Sequence, residues 1–301
     1  MKSVPLRCLL AVLAIALANT AAIWADERVV APVVPATASS FEPLVVIGAS
    51  ASAGFIMSEP FGGPKTSQYR LSRYLDAALL HKGRNAVSLA TAPFFLNPDE
   101  QGKQQIDHAL ELQPGTVVGV DFLFWFCYGR SQAETDRPKR FENGLALLER
   151  LKCPVVVGDI PDASTAVGGM LSRAEMPALE TIAAANRRLA EWASSHPNVA
   201  VLSLSNFMKC CHADRSLTVH GQTWAEGETR KLLQSDRLHP ARHGCAILAL
   251  AVMDALTAQA RVLSDPEVRW DANEIYRQVT DAANVEAKTG NGGSPPVPAR
   301  P

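Results

Sequence analysis

The sequence predicts an α/β fold: a three-layer α/β/α sandwich around a central, mostly parallel sheet of about five strands. Two observations carry this. Short apolar runs alternate with amphipathic stretches along most of the chain, the signature of strand-helix-strand units. The runs are also apolar throughout rather than alternating, as expected of strands buried on both faces.

The elements follow in order. Leu44–Ile47 is a short run rich in β-branched residues and reads as the first strand. Helical spacing runs through Tyr69, Leu71, Tyr74, Leu75, Ala78 and Leu79, predicting a helix over 68–82. Residues 86–90 form the second strand. A helix over 101–112 is stopped by Pro114 and Gly115. The third strand is expected over 116–126, followed by a helix over 141–151. Pro154–Val157 is the fourth strand, ending at Gly158 and Asp159. A helix over 178–195 keeps its Leu, Ile and Ala spacing for several turns, and Val199–Leu204 is the fifth strand. Residues 205–238 read as irregular, and a helix dense in Ala and Leu covers 241–262. Right-handed crossovers would link the parallel strands, and ligands would bind outside their carboxyl ends.

The ends differ in composition. Lys2 and Arg7 precede an apolar run, and small residues then lead to Asp26, which predicts a signal peptide over 1–25. The apolar core is shorter than the ~20 residues of a spanning helix. The remaining boundaries are a linker over 26–42, one domain over 43–263, a helical extension over 264–285 and a disordered tail over 286–301. A secreted or periplasmic location is expected, where disulfides persist. Without Cys8, five cysteines remain, and one bridge from Cys210 or Cys211 to a distant cysteine is expected. The 301 residues are 47% hydrophobic and 20% charged, with a formal net charge of −1. That balance, with no basic run, excludes the electrostatic footprint of a nucleic-acid binder.

Chemistry should sit at the carboxyl edge of the sheet. Gly48-Ala49-Ser50-Ala51-Ser52-Ala53-Gly54-Phe55 follows the first strand, and small neighbours leave the Ser50 hydroxyl open. Such a turn could also cradle a phosphate, but it lacks the Gly-Lys-Ser/Thr ending and the dinucleotide spacing, and Ala90 and Thr91 stand where a ribose-binding acid would follow the second strand. A serine nucleophile needs a base, and the base needs an acid to fix its tautomer. Asp236-Arg237-Leu238-His239-Pro240, just before the last helix, supplies His239 and Asp236. Ser52 is a rival nucleophile, Asp159 a turn or cap residue. The aromatics Phe122, Phe124, Trp125, Phe126 and Tyr128 read as core packing, or as the wall of an acyl or sugar pocket. Cys210-Cys211-His212 lacks the pattern of a metal site, and no cofactor or metal is expected.

The two blocks resemble those of the SGNH/GDSL hydrolases: Gly-Asp-Ser-Leu-x-x-Gly-Phe at the first strand and Asp-x-x-His-Pro near the end. The resemblance spans about residues 43–260. It implies Ser50 as nucleophile, His239 as general base and Asp236 as its orienting acid, in a serine esterase acting on an acylated carbohydrate or lipid. It admits two alternatives, an O-acyltransferase with the same triad and a catalytically degenerate glycan-binding or interaction protein. Ala49 replaces the family's aspartate and Ala51 its leucine. The family's oxyanion hole uses a backbone N–H beside the nucleophile, a glycine after the second strand and an asparagine after the third. Here Ala51 lies beside the nucleophile, no glycine follows the second strand, and Asp121 is nearest the asparagine's place. A carboxylate accepts hydrogen bonds and cannot donate one to an oxyanion unless it carries a proton. Ala51 and Asp121 are therefore the expected residues of the oxyanion side, and the source of its donors is open.

Overall fold

The computed structural model describes residues 41–80, 83, 85–130, 133–259 and 262–289. The signal peptide expected over 1–25, most of the linker and residues 290–301 of the tail lie outside them. Strand β1 (Leu44–Val46) leads into a single helical turn, α1 (Ser50–Ala53). Helix α2 (Leu71–Ala78), strand β2 (Val87–Ser88), helix α3 (Pro98–Glu111) and strand β3 (Thr116–Gly119) follow. Then come α4 (Phe124–Cys127), α5 (Arg137–Leu148), β4 (Val155–Gly158), α6 (Leu179–Ser194) and β5 (Val199–Leu202). Helix α7 (Leu204–Ala213), strands β6 (Leu217–Val219) and β7 (Gln222–Trp224), and helices α8 (Arg242–Ala258) and α9 (Ala272–Thr289) complete the chain.

The first five strands form one parallel sheet in the order β2-β1-β3-β4-β5. Side chains alternate across it, as strand geometry requires. Val46, Val118 and Val156 belong to the core that holds Tyr74 of α2, Ile247 of α8 and Ile275 of α9. Val45, Val117 and Val155 belong to the other, with Ile106 of α3, Leu145 of α5 and Leu189 of α6. The result is the expected α/β/α sandwich. The chain leaves β1 for β2 on one side and returns to β3 on the other, so the carboxyl ends of β1 and β3 flank a topological switch point, where such sheets open a ligand crevice.

Several expectations are corrected. The third strand stops at Gly119, and Phe124–Cys127 is helical. The apolar run continues because the turn after β3 is itself buried: Phe122, Phe126 and Tyr128 have no exposed surface. Apolarity there reports burial, not strand pairing. Residues 205–238 are not wholly irregular. They hold most of α7, whose Leu204, Phe207, Met208 and Cys211 fall on one buried face at helical spacing, and a hairpin of β6 and β7. The hairpin turns at His220 and Gly221, both at positive φ (45° and 74°), as tight two-residue turns require. The fold starts before the expected boundary, since Phe41 is buried in the core, and α9 continues past 285 to Thr289.

The expected disulfide is absent: Cys127, Cys153, Cys210, Cys211 and Cys245 are all free. Cys210, Cys211 and Cys245 pack on one side of the sheet, and Cys127 and Cys153 on the other. Consecutive positions on a helix point about 100° apart, so Cys210 and Cys211 also diverge from each other. Burial pushes the Cys211 thiol up to about 12.

Candidate active site

The turn after β1 is built around a close approach. Gly48 has φ +133°, and a Cβ on it would lie 2.3 Å from Asp121 Oδ1. Glycine alone therefore lets the carboxylate from the end of β3 reach the start of α1. Asp121 Oδ1 accepts from the Ala49 N–H at 3.0 Å and the Ser52 hydroxyl at 2.6 Å. Its Oδ2 accepts from the N–H groups of Ala51 at 2.8 Å and Ser52 at 3.3 Å. These are N–H groups that the start of a helix leaves without partners. Buried Gln105 of α3 holds the same turn from behind: its Oε1 accepts from the Gly48 N–H at 2.7 Å and its Nε2 donates to the Gly48 carbonyl at 2.9 Å. Gly54 ends α1 in the left-handed region at φ +84°. Ser50 is thus the first residue of a pinned helical turn, with its side chain facing the crevice.

The second segment is equally local. Asp236 Oδ1 accepts from the N–H groups of Leu238 and His239, both at 3.0 Å, which folds the chain into a tight turn with Arg237 at φ +59°. That turn swings the imidazole back, and Nδ1 meets Asp236 Oδ2 at 2.8 Å. His239 Nε2 then lies 2.8 Å from Ser50 Oγ. A carboxylate only accepts, so Nδ1 carries the proton and Nε2 receives the serine hydroxyl. Asp236 and His239 side chains are 6% and 3% exposed, so this chain is shielded from water. Burial works to raise the Asp236 carboxyl. The hydrogen bond and charge of His239 and the two backbone N–H groups outweigh it, and the carboxyl is held below its ordinary value.

Phe55 stacks on His239 with ring centroids 4.2 Å apart. Gln234 Nε2 donates to the carbonyls of Phe55 at 2.8 Å and Pro240 at 3.0 Å, tying the two segments together. His212 of α7 holds the Arg237 carbonyl at 2.9 Å through Nε2.

The structure thus brings Ser50, His239 and Asp236 together. It places Ala51 and Asp121 differently from the expected oxyanion side: the Ala51 N–H is taken up by Asp121, and Asp121 meets donors on every contact. The backbone N–H groups at the crevice that have no acceptor among the described residues include those of Ser50 and Ala92. Ala92 opens a short 3-10 turn (Ala92–Leu96) after β2 and lines the same cleft as Ser50 and His239. Ser52 faces Asp121 and is 1% exposed, away from His239. Asp159 holds the start of α7 through the Ser205 N–H and hydroxyl, both at 2.6 Å. The aromatic cluster divides: Phe124 and Trp125 line the crevice, and the other three are core. Sequence reasoning missed Gln105, Gln234 and Ala92, which no motif marks. No group of three or more His, Cys, Asp or Glu suited to a metal occurs among the described residues, and no helix among them is long and apolar enough to cross a membrane.

No protein-family model matches the chain, and no curated protein does. Solved structures are similar in trace. A lipase/acylhydrolase from Enterococcus faecalis is 18% identical with a TM-score of 0.48, covering 74% of this chain and 98% of that one. A catalytic mutant of an acetylxylan esterase from Geobacillus stearothermophilus is 16% identical with a TM-score of 0.43, covering 70% and 91%. The C-terminal catalytic domain of a peptidoglycan O-acetyltransferase from Streptococcus pneumoniae is 11% identical with a TM-score of 0.41, covering 76% and 97%.

Proposed function

We propose that this chain is a serine esterase of the SGNH type, working through an acyl-enzyme on Ser50. The carrying observation is the unbroken line Ser50 Oγ, His239 Nε2, His239 Nδ1, Asp236 Oδ2, with both gaps at 2.8 Å. As Ser50 Oγ attacks an ester carbonyl, its proton passes to His239 Nε2. Asp236 stabilises the imidazolium that forms. The tetrahedral intermediate collapses, the alcohol leaves with the proton from Nε2, and the acyl group stays on Ser50. Water then attacks the acyl carbonyl as its proton passes to Nε2, and the Ser50 Oγ–carbon bond breaks to release the acid as Nε2 returns the proton to Oγ.

The oxyanion is received by the free N–H groups of Ser50 and Ala92. A backbone donor does not require glycine, so the missing glycine after β2 is no obstacle. The lost carboxamide at Asp121 leaves the site short of one donor, which costs about 100- to 1,000-fold in rate for this kind of chemistry. We read the chain as exported by residues 1–25, on the composition of that segment.

The test is labelling of the chain lacking residues 1–25 with a fluorophosphonate, beside Ser50→Ala and His239→Ala. Labelling of the wild type that is lost in both variants is expected. A folded wild type that takes no label would sink the esterase reading in favour of a degenerate protein that binds glycans.

A further inference from the structure

Two cavities meet at Ser50, and they differ in kind. The inner one, about 40 Å³, runs from Ser50 between the end of β3 and helices α7 and α8. Its walls include Val120, Leu204, Phe207, Met208 and Leu248, all at least nine-tenths buried. It is a narrow apolar pocket walled by buried side chains, with room for about three water-sized groups. The outer cleft, about 250 Å³, is some six times larger. Its rim carries Met57, Phe61 and Phe95, which are 62%, 84% and 42% exposed. Ser50, His239, Leu238 and Trp125 belong to both. Trp125 and Leu238 therefore flank the junction at which the reacting atoms sit.

Resting on the esterase reading, we propose that the substrate is a short-chain acyl ester, of two to four carbons, of a bulky apolar alcohol. The acyl group occupies the inner pocket and the alcohol the outer cleft. The order of events fixes this assignment. The alcohol leaves first and needs a roomy route out, which the larger outer cleft with its exposed rim offers. The acyl group stays bonded to Ser50 until water arrives, so a narrow pocket walled by buried side chains suits it. The pocket's volume limits its length.

The outer cleft also argues against a sugar. Among the described residues, the polar groups lining it besides Ser50 and His239 are the Glu175 carboxylate and the Trp125 indole N–H. The carboxylate already accepts from the Ser172 N–H at 2.8 Å and hydroxyl at 2.6 Å. Many hydroxyls of a sugar buried there would lose water with few partners to replace it. The exposed Phe and Met surface of the rim instead matches an aromatic or long alkyl alcohol.

The experiment measures nitrophenol release, including its burst, from p-nitrophenyl esters of two to twelve carbons. A second series measures hydrolysis of acetates of ethanol, benzyl alcohol and naphthol, and of an acetylated polysaccharide. kcat/KM should fall about 10-fold or more for each methylene that the pocket cannot accept, with the break near four carbons. Among acetates it should rise from ethyl to naphthyl, with the polysaccharide poorest. Met208→Ala should move the break to longer chains, and Phe61→Ala, at a surface position that does not threaten folding, should flatten the alcohol series. A rate that climbs beyond eight carbons, or a preference for the polysaccharide, would overturn the proposal while fluorophosphonate labelling leaves the esterase reading standing. Loss of labelling together with all hydrolysis would instead overturn the esterase reading beneath it.

Discussion

Asp236 and Asp121 are two buried carboxylates on opposite sides of the same serine, and they use nearly the same contacts for different ends. Each accepts from backbone N–H groups of a tight turn: Leu238 and His239 for Asp236, and Ala49, Ala51 and Ser52 for Asp121. The remaining contact separates them. Asp236 reaches an imidazole that touches the nucleophile. Asp121 reaches the Ser52 hydroxyl, which faces away from it. One acid therefore acts on the proton-transfer chain and the other on the backbone that aims Ser50. A carboxylate's chemistry in a site is set by its last partner, not by its burial.

The largest effect that would sharpen this contrast is at Asp236. Asp236→Asn keeps the size of the side chain but presents an amide to Nδ1, which favours the wrong imidazole tautomer. We expect kcat to fall about 10,000-fold with the fold intact, measured on a short p-nitrophenyl ester with circular dichroism as the control. A loss under about 10-fold would mean that His239 is oriented by Phe55 and its backbone alone.

The oxyanion side comes next. Ala92→Pro removes one of the free N–H groups. The substitution suits the backbone, because Ala92 is the first residue of a 3-10 turn and Thr91 before it is extended (φ −134°, ψ 137°). We expect about a 100- to 1,000-fold loss in kcat with little change in thermal midpoint. Unchanged kcat would remove Ala92 from the oxyanion hole.

What was legible in the sequence follows the same division. Asp236 and His239 lie three residues apart in one turn, so local chain geometry suffices to bring them together, and spacing reveals it. Ser50 is 189 residues from His239, and only the position of each at a strand or helix end made the pairing readable. Asp121 was noticed for where it stands, but its role depends on Gly48 clearing a path between β1 and β3, a contact across 72 residues. Gln105 lies on a helix face that turned out to be buried. Helix α7 falls in a stretch that reads as irregular, although its Leu204, Phe207, Met208 and Cys211 keep helical spacing.

A smaller effect tests the Asp121 half of the contrast. Asp121→Asn keeps an acceptor oxygen but turns an amide N–H toward at least one backbone N–H that can only donate. We expect a loss of about 1 to 3 kcal/mol in unfolding free energy, read by urea titration, with slower fluorophosphonate labelling in the folded fraction. If labelling stopped while stability held, Asp121 would be touching the reacting atoms and the contrast with Asp236 would fail.

The smallest effect is in pH. The folded protein holds Asp236 below its ordinary value, chiefly against burial and through His239, so the native state binds its proton less readily than the unfolded chain does. The carboxylate's contribution to stability is therefore complete above the unfolded value near 3.9 and is lost as pH falls through the lower folded value. Asp236→Asn lacks that titration. Between pH 5 and pH 2.5 the wild type should lose more of its urea midpoint than the variant does, with all other acids common to both. Equal losses would mean that the pull of His239 and the two N–H groups does not exceed the cost of burying the charge. Asp236 would then resemble Asp121 more closely than their partners suggest.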